Sequence, residues 1–201
     1  MNSEMEQSHK AEHALESSTR INLHLLNDKT LRTRIDSLGE DVRNSREIFK
    51  MTKEILTHRD GTFFEDLAFV NTVSHKSLIN KDYNFYDEKN KVSACKPNKP
   101  MIEMLQAAAN STIIGIHNHP QSRIPSDSDI LRSYERKYKY GLIICHNGII
   151  FKYSVQSEFD LDQASFFLDI LEKRIYNGDK EKIVMILENL SDVGINMEVI
   201  P

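Results

Sequence analysis

The stretch Ile113–Pro120, with the sequence IIGIHNHP, constrains this chain more than any other part of it. Its apolar and mostly β-branched start predicts a buried strand, which ends at Pro120 because proline cannot donate to a strand ladder. Residues two apart in an extended strand point to the same side, so we expect His117 and His119 to project together. The end of a core strand is thus predicted to carry two neighbouring imidazoles.

A short loop separates these histidines from a predicted helix start. Ser126 and Asp129 have the spacing of a helix N-cap and its N3 residue. A chain that turns from strand to helix here brings Asp129 back toward His117 and His119. Two imidazoles and one carboxylate, with no fourth protein ligand nearby, are typical of a catalytic zinc that keeps a position open for water. The competing interpretation is a hydrogen-bonded histidine pair beside an ordinary helix cap, since Asp at N3 needs no metal.

Two short runs carry a family resemblance: His117-x-His119-Pro120, then Pro125-Ser126-x-x-Asp129. In this order they resemble the JAMM motif of the JAB/MPN metallopeptidases, and the histidine run is closest to the RadC-like branch found in phages and bacteria. The resemblance covers residues 62–155. The spacing from His119 to Asp129 is one residue shorter than is commonest in the family. The shortening falls in the loop, so we expect the ligand geometry to be kept.

The resemblance implies a fold, a metal and an activity. The fold is expected to be α/β, with a mixed, largely antiparallel sheet flanked by helices, as in the cytidine-deaminase-like JAB/MPN domains. Zn²⁺ is expected to bind His117, His119 and Asp129, and Ser126 to donate a hydrogen bond to the developing oxyanion. The reaction would be hydrolysis of a peptide or isopeptide bond by a metal-activated water. The substrate would be a protein or peptide, such as a ubiquitin-like or isopeptide-linked one.

A hydrolase of this kind also needs a base for the water, and Glu65 is the candidate. The resembling family draws its catalytic glutamate from an early strand at about this distance before the histidines. Asp66 is the neighbouring alternative, but alternation along a strand sends the two side chains to opposite faces. We favour Glu65 because its longer side chain suits reaching a water from the strand edge. The simpler interpretation of Glu65 is a surface carboxylate at a strand end.

Hydrophobic periodicity divides the chain into four parts. Residues 1–20 are polar and predict a mobile arm. Residues 21–60 predict a helical extension, with two amphipathic runs separated near Gly39. Residues 61–156 are expected to form the JAB/MPN-like zinc hydrolase domain, and residues 157–201 a C-terminal segment of two helices.

Within the central part, the pattern predicts an antiparallel meander of three strands, then a loop and a helix. The strands are predicted at 62–71, 76–79 and 83–86, the loop at 87–98 and the helix at 99–110. After the histidine strand the pattern predicts a helix at 127–138 and two further strands, at 140–145 and 149–155. Asn147-Gly148 between them is a strong hairpin signal.

Composition narrows the class of protein. The 201 residues are 39% hydrophobic and 28% charged, with a net charge of -4, so nothing global favours nucleic acid or an anionic membrane surface. Two cysteines, Cys95 and Cys145, fit a reducing compartment. No apolar run approaches the ~18 residues of a membrane span, and the N-terminus lacks the regions of a secretory signal. These features predict a cytoplasmic protein that does not enter a membrane.

Two other functions stay open. One is a RadC-like module associated with nucleic acid, which DNA retardation at physiological salt would support and which the acidic charge balance disfavours. The other is an interaction or toxin-like module, encoded by a phage or mobile element, that uses the fold without turnover. The terminal helices could dock a partner or form a homodimer, and the sequence does not choose between these.

Three weaker patterns have ordinary explanations. His9 and His13, four residues apart, are expected to be solvated. Cys145 is expected to be a core residue, because its neighbour His146 faces the other side of the strand and cannot activate it. A basic cluster is expected to form a solvated helix face: Arg132, Arg136, Lys137 and Lys139.

Overall fold

A computed structural model describes residues 19–82, 85–87, 92–121 and 123–200. Over these ranges the helices are α1 (Asp28–Asp36), α2 (Val42–Arg59), α3 (Lys99–Ala107), α4 (Asp127–Glu135), α5 (Leu161–Asn177) and α6 (Lys180–Asp192). The strands are β1 (Leu67–Asn71), β2 (Lys76–Asn80), β3 (Phe85–Asp87), β4 (Val92–Ala94), β5 (Ile113–His119), β6 (Tyr140–Cys145), β7 (Ile150–Val155) and β8 (Ile195–Ile200). The predicted mixed α/β architecture with a largely antiparallel sheet is confirmed.

Six strands form one sheet in the order β2-β1-β5-β6-β7-β8, and β3 and β4 form a separate two-stranded sheet. Neighbours in the large sheet are antiparallel, except β5 and β6, which run parallel. Parallel neighbours need a crossover connection, and here the crossover contains α4. The carboxyl end of β5 is therefore followed by a loop and then by the N-terminus of α4.

Helices cover both faces of the large sheet. On one face, α1 and α2 pack through Leu31, Ile35, Ile48 and Ile55 against apolar side chains of β1, β5 and β6. On the other face, α3 packs through Met101 on β1 and β5, while α4, α5 and α6 cover β6, β7 and β8. Each fully buried side chain of this size contributes about 1.5–3 kcal/mol. Successive residues of β1 and β5 thus face different helical layers.

The N-terminal region differs from its prediction. Residues 1–18, including His9 and His13, lie outside the described residues. Thr19, which was predicted to belong to the polar arm, is buried, and Arg20 forms an ion pair with Asp60. The helix expected from residue 21 begins only at Asp28, because the apolar residues before it form turns against the core.

The early strands are shorter and pair differently than predicted. β1 begins at Leu67, and residues 62–66 have no regular structure. β1 and β2 pair as an antiparallel hairpin. The third predicted strand, shifted to Phe85–Asp87, pairs instead with Val92–Ala94, which was expected to be loop. The polar composition of residues 87–98 favoured a loop, and a strand of three residues is too short to show a clear alternation of apolar and polar residues.

The C-terminal segment, predicted to be helical, ends in a strand. β8 pairs with β7 in antiparallel register, and Ile195 and Met197 are buried in the core. Gly194, with φ of +90°, makes the turn that leads from α6 into this strand. Residues after 157 therefore complete the large sheet rather than only extending the domain. None of the helices within the described ranges has the length and apolar character that crossing a bilayer requires.

Candidate metal centre

The end of β5 and the start of α4 bring the predicted ligands together. His117 and His119 leave β5 on the same face, and the crossover returns the first turn of α4 to that face. The ligand atoms of His117, His119 and Asp129 all lie within 4.8 Å of one another. All three side chains are largely shielded from solvent. The strand alternation and the helix cap, both read from local sequence, are sufficient to explain this convergence.

The distances fit a small tetrahedral metal ion. The two imidazole Nε2 atoms are 3.1 Å apart, and Nε2 of His117 is 3.2 Å from Oδ1 of Asp129. Nε2 of His119 is 3.6 Å from Oδ2 of Asp129. A tetrahedral zinc with ligands at about 2.0–2.1 Å has ligand atoms about 3.3–3.4 Å apart. Two nitrogens and one carboxylate oxygen at these separations are therefore a plausible zinc donor set in both chemistry and spacing.

Ser126 orients the Asp129 carboxylate. Its backbone N–H and its hydroxyl both donate to Oδ2 of Asp129, at 2.8 and 2.7 Å, and its Oγ accepts from the Asp129 N–H at 3.3 Å. This capping box occupies one carboxylate oxygen and leaves Oδ1 toward His117. Burial alone would raise the pKa of Asp129, but His117 and His119 together lower it well below its usual range. The group is thus an anionic donor that could hold a cation, and the Ser126 hydroxyl proton is directed at it.

The loop that follows His119 leaves Nε2 as the ring nitrogen that could bind a metal. Its Nδ1 lies 2.8 Å from the Arg123 carbonyl oxygen, which can only accept, so Nδ1 carries a proton. Burial alone would lower the pKa of His119, but Asp129 and Glu65 raise it to about 9. In the metal-free protein this imidazole is therefore protonated near neutral pH. A bound cation would replace that proton.

Glu65 lies at the edge of the same cluster. Its Oε1 is 3.9 Å from Nε2 of His119, too far for a hydrogen bond, and 24% of its side chain is exposed. Burial raises the pKa of Glu65, and the nearby imidazoles of His119 and His117 oppose this effect. The predicted base and the three predicted ligands thus share one site. The structure places Glu65 just before β1 rather than within a strand.

Asp66 faces the opposite side of the sheet. It is fully buried, accepts from Arg59 Nε at 2.5 Å, and lies 2.7 Å from Nδ1 of His58. Arg59 also donates to the Lys81 carbonyl. The neighbouring carboxylates therefore have separate surroundings, as predicted, and the one that turns away from the imidazoles is neutralised by a buried guanidinium.

Sequence reasoning missed the network that holds the Glu65 backbone. The fully buried Asn118 side chain donates to the Phe64 carbonyl at 3.1 Å and accepts from the Asp66 N–H at 2.9 Å. These two peptide groups flank Glu65. The Asn118 Nδ2 is also 3.1 Å from Nε2 of His146, which is buried and bonded through Nδ1 to the Thr19 carbonyl. Alternation alone could have shown that Asn118 points away from the histidines, but its partners are distant in sequence.

The remaining predicted patterns have the expected ordinary surroundings, with one exception. Cys145 is buried among apolar side chains, and burial raises the pKa of its thiol. Within the basic cluster, Lys139 pairs with Glu40 at 2.6 Å. Arg132 and Arg136, however, line a pocket together with His117 and Asp129.

Comparison with known proteins identifies no relative: no family model matches the chain, and neither does any curated protein or solved structure. The interpretation of the site therefore depends on the residues and distances described above.

Proposed function

We propose that this chain is a zinc-dependent metallopeptidase or isopeptidase of the JAB/MPN type. The observation that carries the proposal is the meeting of three possible ligand atoms, with a second carboxylate, that of Glu65, close beside them. His117, His119 and Asp129 have the spacing of a zinc donor set, and Glu65 lies 3.9 Å from one of the imidazoles. A purely structural histidine–aspartate cluster would not require this second carboxylate.

Each residue has a role that follows from its position. When bound, zinc would lower the pKa of a coordinated water from about 15.7 toward about 7 and polarise the substrate carbonyl. Glu65 accepts the proton of the attacking water and passes it to the leaving amine. The raised pKa of Glu65 suits this exchange, because the group must hold a proton between the two steps. Ser126 holds Asp129 in place, and its hydroxyl proton, which is directed at Oδ2 of Asp129, would turn to the oxyanion once substrate binds.

The proposed substrate is a peptide or isopeptide bond. It follows from the JAMM-type order of His117, His119, Ser126 and Asp129, and from a mixed sheet with β5, α4 and β6 around the site. A mixed, largely antiparallel sheet flanked by helices, which is the coarse architecture that the resemblance implies, supports the proposal.

Metal analysis of the purified chain tests the proposal first. We expect about one zinc per chain in the wild type and loss of most of it in His119→Ala, because two remaining ligands hold zinc weakly. His24→Ala is the matched control, since His24 is exposed and outside the site. Circular dichroism of each variant would establish that it is folded. A wild type without zinc after zinc reconstitution, or His119→Ala with undiminished zinc, would refute the metal site.

A further inference from the structure

The candidate metal centre opens into a small pocket with a basic wall. The pocket has a volume of about 140 Å³, and His117 and Asp129 are among the residues that line it. Lys96, Arg132 and Arg136 also line it. The two carboxylates in the pocket, Asp129 and Glu65, are those assigned to the metal and its water. Once they are used in this way, the remaining charged groups of the lining are all cationic.

The basic wall follows from the periodicity of α4. Asp129 and Arg132 of α4 and the C-cap residue Arg136, whose backbone is still right-handed helical, are at positions i, i+3 and i+7, which lie on one face of a helix. The same face that directs the Asp129 carboxylate to the imidazoles therefore directs two guanidinium groups to the space beside them. With about 1.5 Å of rise per residue, they lie roughly 5 and 10 Å further along the helix axis. This span corresponds to about one to three residues of an extended peptide.

The floor of the pocket is built from two tyrosines seated on paired glycines. Gly115 of β5 and Gly141 of β6 are register partners. A Cβ at Gly115 would lie 2.4 Å from the ring of Tyr138, and one at Gly141 would lie 2.3 Å from the ring of Tyr153. Both rings can lie flat against the strands only because these positions lack side chains. Both tyrosines line the pocket, which is therefore a built cavity rather than a gap between surface residues.

Arg136 is held toward this floor. Its guanidinium donates to the Tyr138 hydroxyl at 3.0 Å and lies 6.0 Å from the centre of that ring. Arg132 pairs with Glu135 at 2.8 Å. For Arg136, by contrast, no carboxylate of the described residues lies within ion-pairing distance, although its side chain is half-buried. A half-buried, oriented guanidinium next to a reaction centre is suited to bind an anionic group of a ligand.

We propose that this pocket binds a carboxylate of the substrate next to the scissile bond, with Arg136 as the main contact and Arg132 as a second. The inference depends on the proposed function for what is cleaved and adds the class of substrate: a chain with an acidic side chain or a terminal carboxylate within about three residues of the cleaved bond. A volume of about 140 Å³ suits an amino-acid side chain. It is below the 300–1,000 Å³ typical of sites for larger ligands such as nucleotides.

Three small probes test the pocket in the full chain. N-acetylaspartate amide offers a side-chain carboxylate, N-acetylglycine a terminal one, and N-acetylasparagine amide is the neutral match of the first. Each is titrated into zinc-loaded and chelator-treated protein, and binding is followed by ¹H–¹⁵N chemical shifts of the arginine Nε–H groups. We expect one or both carboxylate probes to bind and the neutral amide to bind at least about tenfold more weakly. Tighter binding of N-acetylaspartate amide would indicate that the substrate group is an acidic side chain, and tighter binding of N-acetylglycine that it is a terminal carboxylate.

Charge-removal variants assign the binding to α4. Arg136→Gln should lower the affinity for the carboxylate probe by about tenfold or more. Arg132→Gln should lower it by about two- to threefold, because the Arg132 side chain is exposed and already paired with Glu135. Lys137→Gln removes the same charge one residue away, outside the pocket, and should leave binding within about twofold. Unchanged binding in both arginine variants, or equal binding of the neutral amide, would overturn the proposal.

The same variants separate the alternatives. If Arg136→Gln abolishes retardation of a short single-stranded oligonucleotide while the carboxylate probes do not bind, the pocket belongs to a phosphate ligand and the carboxylate assignment is wrong. Zinc content is measured on the same samples. Absence of zinc would count against the proposed hydrolase, whereas the binding result in chelator-treated protein tests the pocket independently.

Discussion

Glu65 and Asp66 lie on opposite sides of the same sheet, and both sides are rich in polar groups. On the side of Asp66, the buried Arg59 and Asn118 make hydrogen bonds with nearby carbonyl, N–H and carboxylate groups. On the side of Glu65, the two imidazole nitrogens of His117 and His119 face each other at 3.1 Å, with carboxylate oxygens around them. In the first arrangement the polar groups pair with one another, whereas the second contains three groups that could hold a metal ion.

The difference teaches how to separate structural from functional polar clusters. A buried polar group must be satisfied, and the Asp66 side satisfies its groups with backbone atoms and an ion pair. The Glu65 side concentrates lone pairs at one point, which is unfavourable unless a proton or a metal lies between them. The two sides are coupled, because Asn118 binds the peptide groups on both sides of Glu65.

The largest expected effect is on hydrolysis, in Glu65→Gln. The amide keeps the shape of the side chain but cannot accept a proton from water, so we expect the rate of peptide or isopeptide hydrolysis to fall by about 10²–10⁴-fold. Zinc content and the free energy of unfolding should be nearly unchanged, since burial already disfavours the charged form of Glu65. Full activity with zinc bound would remove Glu65 from the mechanism.

Asp66→Asn is the matched change on the other side of the sheet. It leaves Arg59 buried without its charge partner, so we expect the free energy of unfolding to fall by about 3–5 kcal/mol. Urea denaturation of Glu65→Gln and Asp66→Asn side by side would measure the contrast. Equal stability of the two variants would contradict the division between a structural and a functional carboxylate.

Asn118→Ala breaks the coupling between the two sides. The substitution leaves the Asp66 N–H and the Phe64 carbonyl without their buried partner, which should cost about 2–3 kcal/mol of folding free energy in denaturant unfolding. The exposed Asn196→Ala on β8 is the control and should cost less than about 1 kcal/mol. A cost for Asn118→Ala no greater than that of the control would show that the network does not hold this segment.

The smallest expected effect is the pH dependence of the free energy of unfolding, which arises on the Glu65 side. The pKa of His119 in the folded, metal-free protein is about 9, above its ordinary value of 6.5. Its contribution to stability is therefore fully present below pH 6.5 and is lost as the pH rises through 9. We expect chelator-treated protein to lose on the order of 2 kcal/mol over this range, while the zinc-loaded protein does not. Zinc affinity should rise over the same range, because zinc binding displaces the proton. A melting temperature of the metal-free protein independent of pH would contradict this.

The residues of the candidate site could be predicted because each depends on local sequence. Alternation in β5 places His117 and His119 on one face, and the capping box places Asp129 at the start of α4. The choice of Glu65 over Asp66 needed more than alternation, which shows only that the two side chains diverge. It also used the longer side chain of Glu65 and the position of the glutamate in the resembling family, and strand pairing in fact begins only at Leu67.

The supporting network could not be predicted because its partners are far apart in the chain. Asn118 contacts residues 52 to 54 positions earlier, and His146 is 127 positions from Thr19. Similarly, β8 was missed because the two preceding helices dominated the pattern and an edge strand gains its stability from pairing with β7. The pocket beside α4 was missed because the spacing of Arg132 and Arg136 is the same on a helix face exposed to solvent as on one that binds a ligand.

The bond from His146 to the Thr19 carbonyl has a practical consequence for anyone who trims this protein. A shortened version starting at Asp28, the first residue of α1, would lack the acceptor for a fully buried imidazole. The His146 ring lies 3.1 Å from the Asn118 amide, and Asn118 binds the backbone of residues 64 and 66. Losing the Thr19 carbonyl should therefore disturb residues 64–66, which are distant in the sequence. Versions meant for assays should therefore keep the residues around Thr19, because a loss of stability or of metal binding in a truncated version would reflect damage at its new N-terminus rather than a property of the candidate site.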